Sequence, residues 1–348
     1  MGGGEPGNLV ETIYRKMIAI HYNKGDFSDR WVTYCEAEKI PYKIVDCYQN
    51  DIIEQLKDCD GLMWHFNHAN PKSTLFAKQL IYSVVGMGKK VFPDFNTVWH
   101  FDDKVGQKYL LEAIGAPLVP SYVFYTKKDA IDWIENTIFP KVFKLRGGAG
   151  SANVQLIYSK AQAISMANKA FGRGFSQYDA WPNFKERLRK FKHGKTSFTD
   201  VCKGFIRLFF TTEFAKVAGR EKGYIYFQDF IDSNDCDIRI IVIGDKAFAM
   251  KRMVRENDFR ASGSGITHYN RELFDEASVK ISFELTKRMN AQCLAFDFVY
   301  KDDKPLILEI SYGFAIEIYD ACTGYWDKDL KWHEGQFIPQ NWMVDQMV

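Results

Sequence analysis

Nowhere in the 348 residues do two cysteines stand as a CxxC pair, and the seven thiols, Cys35, Cys47, Cys59, Cys202, Cys236, Cys293 and Cys322, are scattered and odd in number. That usage suits neither a zinc site nor a disulfide frame; it is expected of structural thiols in a reducing, cytosolic compartment. No uninterrupted apolar run approaches the roughly 18 residues that argue for a membrane span. The opening MGGGEPG lacks the apolar core of a signal peptide, and Pro6 stands where a myristoylation motif needs Ser or Thr. Net charge is nearly absent as well: 46 Lys and Arg against 44 Asp and Glu leave +2, so bulk charge gives no reason to expect a nucleic-acid partner. What remains is an ordinary apolar fraction, 46%, in a chain long enough for two or three packed units. A soluble, cytoplasmic, multidomain enzyme fits these limits.

From Lys16 onward short apolar runs alternate with amphipathic stretches: MIAIHY, a helix from about Ser28 to Lys39, YKIVDC, a helix near Ile52 to Lys57, GLMWHF, a helix near Ser73 to Val85, then KKVFP. Strand and helix in alternation predict a parallel sheet. Such sheets bind ligands beyond the carboxyl ends of their strands, which places His21, Tyr22, Asn23, His65, Asn67, His68 and Asn70 where a ligand would sit. Each histidine taken singly also reads as a hydrogen-bonded loop residue. A helix from Asp102 to Ile114 follows, its positive end favoured by Asp102 and Asp103 and its stop set by Gly115. Lys104, in the first turn, is unhelpful to the helix. It is either solvated or aimed at an anion that the same terminus attracts.

Phe139 to Ile157, FPKVFKLRGGAGSANVQLI, reads as strand, glycine loop, strand. Gly147, Gly148 and Gly150 let backbone N–H groups approach an anion with no Cβ in the way, and Lys144 adds a point charge: the chemistry of a phosphate clamp, although a plain glycine hairpin has the same pattern. A helix from Lys160 to Phe171 follows. Gly172 to Lys222 then breaks the rhythm with twelve Lys or Arg against five Asp or Glu, interleaved with aromatics. It reads as a basic helical insertion, either a solvated subdomain or a docking surface for an anionic or lipid-linked acceptor.

Tyr224 to Ile231 is a buried strand, and CDIRIIVIGDKAFAMKRMV is a hairpin turning at Gly244 and Asp245. Arg255 to Gly265, RENDFRASGSG, is a basic loop able to order over a phosphate. After a helix from Ser278 to Met289, LAFDFVYKDDKPLILEISYGF forms a second hairpin with Asp297 and Glu309 on its two strands. Carboxylates set in apolar strands need partners, and two facing two lysines suggest Mg²⁺ bridging phosphates.

In this order, these residues resemble the ATP-grasp superfamily, most nearly the branch containing ribosomal-protein glutamate ligase, with glutathione synthetase and D-alanine:D-alanine ligase more distant. The similarity spans roughly Asn96 to Phe314. It implies an α/β and α+β protein: an N-terminal parallel-sheet pre-ATP-grasp domain (1–95), a two-lobed ATP-grasp domain (96–320) with the basic helical insertion at 172–222, and a C-terminal aromatic arm (321–348). By position, Lys104 and Lys144 resemble the family's phosphate lysines, and Gly147, Gly148 and Ser151 its mobile lid. Asp229 and Phe230 resemble the hinge against adenine, supported by Gln228, and Asp237 a nucleotide-contacting acid. Arg260, Ala261 and Ser262 are similar to the family's Arg-x-Asn, and Asp297, Glu309 and Ser311 to its metal set. Both family asparagines are serines here, which leaves a second metal's coordination to water. The implied cofactors are ATP and Mg²⁺, one ion or two, with Mn²⁺ able to substitute. Arg252 and Arg260 are the candidates for holding an acyl phosphate and the oxyanion formed when an amine adds.

The implied function is ATP-dependent joining of a small-molecule carboxylate to an amine through an acyl phosphate. The alternatives are a kinase using the same grasp on a hydroxyl, and a nucleotide-binding interaction protein. The aromatic and acidic tail from Tyr312 to Phe337 suits an amino acid or a glycan-linked uronic acid, hence polysaccharide biosynthesis, or simply packs as an arm.

Overall fold

The computed structural model describes residues 16–67, 70–147, 153–176, 196–206, 219–255, 258–261 and 263–348, with the single positions 184, 187, 188, 191 and 217. Of the expected site residues, Gly148, Ser151 and Ser262 lie outside these, as do His68, Gly150 and the basic positions Lys185, Arg189, Lys190 and Lys192. The chain divides into two compact units: 1–65 with 83–92 and 339–348, and 66–82 with 93–338.

The first unit carries β1 (Ile18–His21), α1 (Phe27–Glu38), β2 (Tyr42–Val45), α2 (Ile52–Gln55), β3 (Gly61–Met63) and β4 (Lys90–Phe92), with the strands parallel in the order β2-β1-β3-β4. Every residue of β1 and β3 is buried, as near-continuous apolar strands should be when both sheet faces are covered. Asp26 caps α1 by accepting from the Phe27 N–H, and Trp31 of α1 meets Phe92 of β4 edge to face at 5.8 Å. The stretch 321–348 is divided. Residues 339–348, with the helix Pro339–Asp345, belong to this unit, while 324–334 supply strands to the other.

In chain order the larger unit holds the first part of α3 (Pro71–Gly86), then α4 (Phe95–Val98), α5 (Lys104–Ala113), β5 (Ser121–Phe124), α6 (Lys127–Asn136), β6 (Lys141–Lys144), β7 (Gln155–Ile157), α7 (Lys160–Ala170), β8 (Phe175–Ser176), a helix Phe198–Ile206, β9 (Arg220–Glu221) and β10 (Ile225–Asp229). It continues with β11 (Cys236–Ile243), β12 (Lys246–Met253), β13 (Thr267–His268), a helix Glu276–Arg288, β14 (Cys293–Lys301), β15 (Lys304–Ser311), β16 (Gly324–Asp327) and β17 (Trp332–Glu334). One sheet runs β5-β10-β6-β7; the other runs β15-β14-β11-β12-β16-β17 with β13 beside β12. Phe143, Phe227, Ile157 and Ala163 build a core beneath the first sheet, and Ile238, Ile240, Phe296, Phe298, Ile307 and Leu285 one beneath the second. Among the described residues no helix is long and apolar enough to cross a membrane.

The sheets meet where Val119 donates to the Ile307 carbonyl (3.0 Å) and Ile307 donates to that of Pro117 (2.7 Å). Just beyond, the β14–β15 register slips: Asp297 faces Glu309, but Phe298 faces Ile307, so Leu308 has no opposite number. Strand side chains alternate sides, so without this bulge Glu309 would share the core side with Ile307. With it, Ile307 and Ile310 both enter the core and Glu309 turns to the opposite face.

Candidate active site

Alternation places the core of the larger sheet on one side and charge on the other. On β11 Asp237 lies opposite Arg252, and Arg239 opposite Asp297, which is itself opposite Glu309. Arg252 grips Asp237 with two hydrogen bonds, Nε to Oδ1 at 2.6 Å and Nη2 to Oδ2 at 2.7 Å, and its Nη2 is 2.9 Å from Asp297 Oδ2. Both Arg252 and Asp237 are buried, so this forked pairing does what buried charge requires. Asp297 Oδ1 has no hydrogen-bond partner, although Arg239 Nε, likewise without one, stands 3.4 Å away.

Lys104 enters from α5. Asp103 caps that helix by accepting from Gly106 N–H, which starts it with Lys104 in its first turn. Gln107, one turn on and so on the same face, accepts the Ile310 N–H at 3.2 Å and ties the helix to β15 just past the bulge. Lys104 Nζ consequently rests 3.1 Å from Glu309 Oε1. Lys144, the last residue of β6, donates to Gln228 Oε1 at 2.6 Å. Gln228 is fully buried, and its amide donates to Ser121 Oγ (3.1 Å) and to the carbonyl of the bulged Leu308 (3.3 Å). One glutamine thus joins the lysine-bearing sheet to the carboxylate-bearing one.

Two lysines and two arginines face three carboxylates here, an excess of one positive charge in a buried setting. Burial pushes the Lys144 ammonium down to about 8, against the pull of Glu309 and with the repulsion of Lys104. Burial would lower Lys104 too, but Glu309 and Asp102 outweigh it and hold that ammonium above its usual value. Burial likewise works to raise the Asp297 carboxyl, yet Arg239 and Arg252 together keep it below the ordinary range. Asp237 is raised by burial and by Asp297, against Arg252.

The remaining expected residues are placed differently. Asp229 pairs with Lys141, opposite it on β6 and on the face carrying Phe143 and Phe227, with Lys141 over the rings of Tyr122 and Trp133 at 5.4 and 5.8 Å. Its N–H is given to Pro120 O at 2.9 Å. Phe230 meets Phe259 edge to face at 5.9 Å. Arg260 is forked onto Asp258 of its own loop, Nη2 to Oδ2 at 2.6 Å, beside the buried Ala261. Ser311 Oγ donates to Gly313 O (3.1 Å) and accepts from Gly313 N–H (3.2 Å). Gly147 donates to Glu221 Oε1 at 3.3 Å. Sequence patterns do not single out Lys141, Gln107 or Glu221 as site residues, and Arg239 is signalled only by the alternation that puts it on the same face as Asp237.

Residues 212–325 match the RimK-like ATP-grasp domain family. The relative named probable alpha-L-glutamate ligase 1 of Shewanella sp. (strain ANA-3) is 34% identical over 109 residues, 30% of this chain and 35% of its own length. The chain therefore spans about a third of the length of the curated relatives it matches. A RimK domain ATP-grasp protein from Sphaerobacter thermophilus superposes with a TM-score of 0.55 over 95% of this chain and 99% of its own, at 11% identity. D-alanine–D-alanine ligase from Bacillus anthracis complexed with ATP gives 0.52 over 88% and 90%, at 14% identity. Residues 212–325 are similar to the RimK-like ATP-grasp domain, and the mixed α/β architecture is the ATP-grasp fold.

Proposed function

We propose that the chain is an ATP-dependent carboxylate:amine ligase that forms an amide through an acyl phosphate. What supports this reading most is the meeting of Lys104 and Lys144, two buried cations from different elements, with Asp297 and Glu309 across the bulged hairpin. Phosphoryl transfer to a carboxylate brings anions together, and desolvated, preset cations favour that charge more strongly than water does. Lys144, depressed by burial and crowded by Lys104, gains most from a phosphate beside it.

The donor set fits Mg²⁺ held partly by phosphate. Asp297 offers an unsatisfied buried oxygen and Glu309 a part-exposed carboxylate, while among the described residues no group of three His, Cys, Asp or Glu could hold a metal alone. Mg²⁺ characteristically takes one or two carboxylates and completes its shell with phosphate oxygens and water. When bound, it would draw negative charge off the transferring group. Asp297 and Glu309 would hold it, with Arg252 keeping Asp297 ionised and Gln228 fixing the spacing of the two sheets.

L-glutamate is the first amine to try, since a matched relative is named for it, and the carboxylate panel keeps the uronic acids that the aromatic tail suggests. The kinase alternative draws on Ser311, whose hydroxyl is engaged with Gly313. ADP release against amino acids, amino alcohols and uronic acids, with hydroxylamine present, separates the two. A trapped hydroxamate supports the ligase; ADP release with a stable phosphate ester and no hydroxamate overturns it. Docking of an anionic acceptor on the 172–222 stretch predicts an acceptor KM that rises with salt more steeply than the ATP KM. Indifference of both to salt ends that proposal.

A further inference from the structure

Two backbone donors at the start of the glycine loop already hold an anion, and it is the chain's own. Arg146 N–H donates to Glu221 Oε2 at 3.1 Å and Gly147 N–H to Glu221 Oε1 at 3.3 Å, so one carboxylate spans two successive amides. Arg146 N–H also donates to the Tyr224 hydroxyl at 2.6 Å, and that hydroxyl in turn donates to Glu221 Oε2. Successive amides forked onto one anionic group are how a glycine-rich turn takes a phosphate. The Lys104 backbone N–H bonds the Arg146 carbonyl at 2.9 Å, and Glu221 is among the negative charges that stabilise the Lys104 ammonium.

The carboxylate's position is built into the fold. Glu221 pairs with Phe175 across β8 and β9, and the guanidinium of Arg220 donates to the carbonyls of Arg173 and Gly174 at 2.7 Å each. Gly174 has φ +70°, and a Cβ there would lie 2.6 Å from the Glu221 carbonyl oxygen, so the approach needs glycine.

We propose that Glu221 stands in for a phosphate, occupying the Arg146 and Gly147 amides while no nucleotide is bound, and that a nucleotide must expel it to seat its phosphates there. This deepens, and rests on, the nucleotide-dependent reading above. The consequence is selectivity by charge. A di- or triphosphate carries enough negative charge and enough acceptors to take the amides and the lysine field together; an uncharged nucleoside leaves Glu221 where it is.

Calorimetric titration of the full chain with MgADP and with adenosine tests this, using wild type and Glu221→Gln. Neutralising the carboxylate weakens its hold on the two amides, which predicts MgADP binding about tenfold tighter in Glu221→Gln, with adenosine affinity unchanged. Tyr224→Phe, which takes away a donor to Glu221 while leaving its charge, is expected to tighten MgADP by a smaller factor, and serves if Glu221→Gln melts before it can be titrated. MgADP binding that is unchanged or weaker in these variants, or adenosine tightened as much as MgADP, overturns the proposal while leaving the nucleotide site standing. Absence of MgADP binding by any of the proteins, wild type included, overturns the site and this proposal together.

Discussion

Raising the pH from 7 to 9 should weaken nucleotide binding while Lys144 contributes increasing fold stability, and the opposition of the two trends is the test. In the free protein burial holds the Lys144 ammonium near 8. A phosphate chain beside it favours the charged form, so its pKa in the complex is higher. Affinity is then full below about 8 and falls as pH rises through that value, approaching a factor of about ten, or about 1.4 kcal/mol, per pH unit. At pH 8 binding should take up about half a proton per site. For folding the signs differ. The free side chain titrates at 10.5 and the folded one at about 8, so between these values the unfolded chain binds more protons and stability rises with pH. The penalty relieved across that window is on the order of 3 kcal/mol. Titration with MgADP at pH 7, 8 and 9, in two buffers of different ionisation enthalpy, gives affinity and proton uptake; urea melts of wild type against Lys144→Met give the folding term. Burial pushes Cys35, Cys59 and Cys236 to about 11, so these thiols stay silent in the window. A Kd flat from pH 7 to 9, or an equal slope in Lys144→Met, would refute the assignment.

Arg252→Ala leaves Asp237 and Asp297 buried without their shared cation and should cost about 3–5 kcal/mol in urea melts; a loss under about 1 kcal/mol would mean the carboxylates relax into water. MgATP at a hundredfold excess over its Kd should stabilise the fold by about 2.7 kcal/mol in thermal melts, and no shift at millimolar nucleotide would count against any nucleotide site. Ser311→Asn should fold like wild type, because its present bonds stay within its own turn, and it should lower the Mg²⁺ concentration needed for half-maximal ADP release; abolished release would show that the serine itself is required.

The elements of this site are legible in the sequence more than their pairings. Alternation around Lys144, the capped start before Lys104 and the two strands carrying Asp297 and Glu309 are local patterns, and the strands and helix stand where those patterns place them. Asp229 shows the limit. Its expected role as a hinge residue follows from its neighbours in sequence, whereas its partner Lys141 lies 88 residues away and is fixed only by the β6–β10 register. Arg252 reads in sequence as a cation available to an intermediate; in the fold it grips Asp237, the partner that a turn at Gly244 and Asp245 sets by register, and it also reaches Asp297 on β14, a contact that hairpin periodicity does not show. Glu221 is silent in sequence because one of several acids in a basic stretch carries no signal until the β8–β9 pairing brings it to the Arg146 and Gly147 amides.

The unpaired Leu308 gives the β14–β15 hairpin the property of a reading frame. Side-chain facing along a strand is a two-state alphabet, and one inserted letter inverts every letter after it. Upstream of Leu308 the frame is set by Ile307, which must be inside; downstream it is set by Glu309, which must be outside, and Gln228 holds the seam by taking the Leu308 carbonyl. An added residue at this point is therefore more disruptive than a changed one. Many residues could replace leucine at 308, and removing the position would straighten the strand with Ile307 still inside, Glu309 outside and Ile310 inside, at the loss of the carbonyl that Gln228 takes; one further residue inserted beside it would instead turn Glu309 into the core and Ile310 into the site.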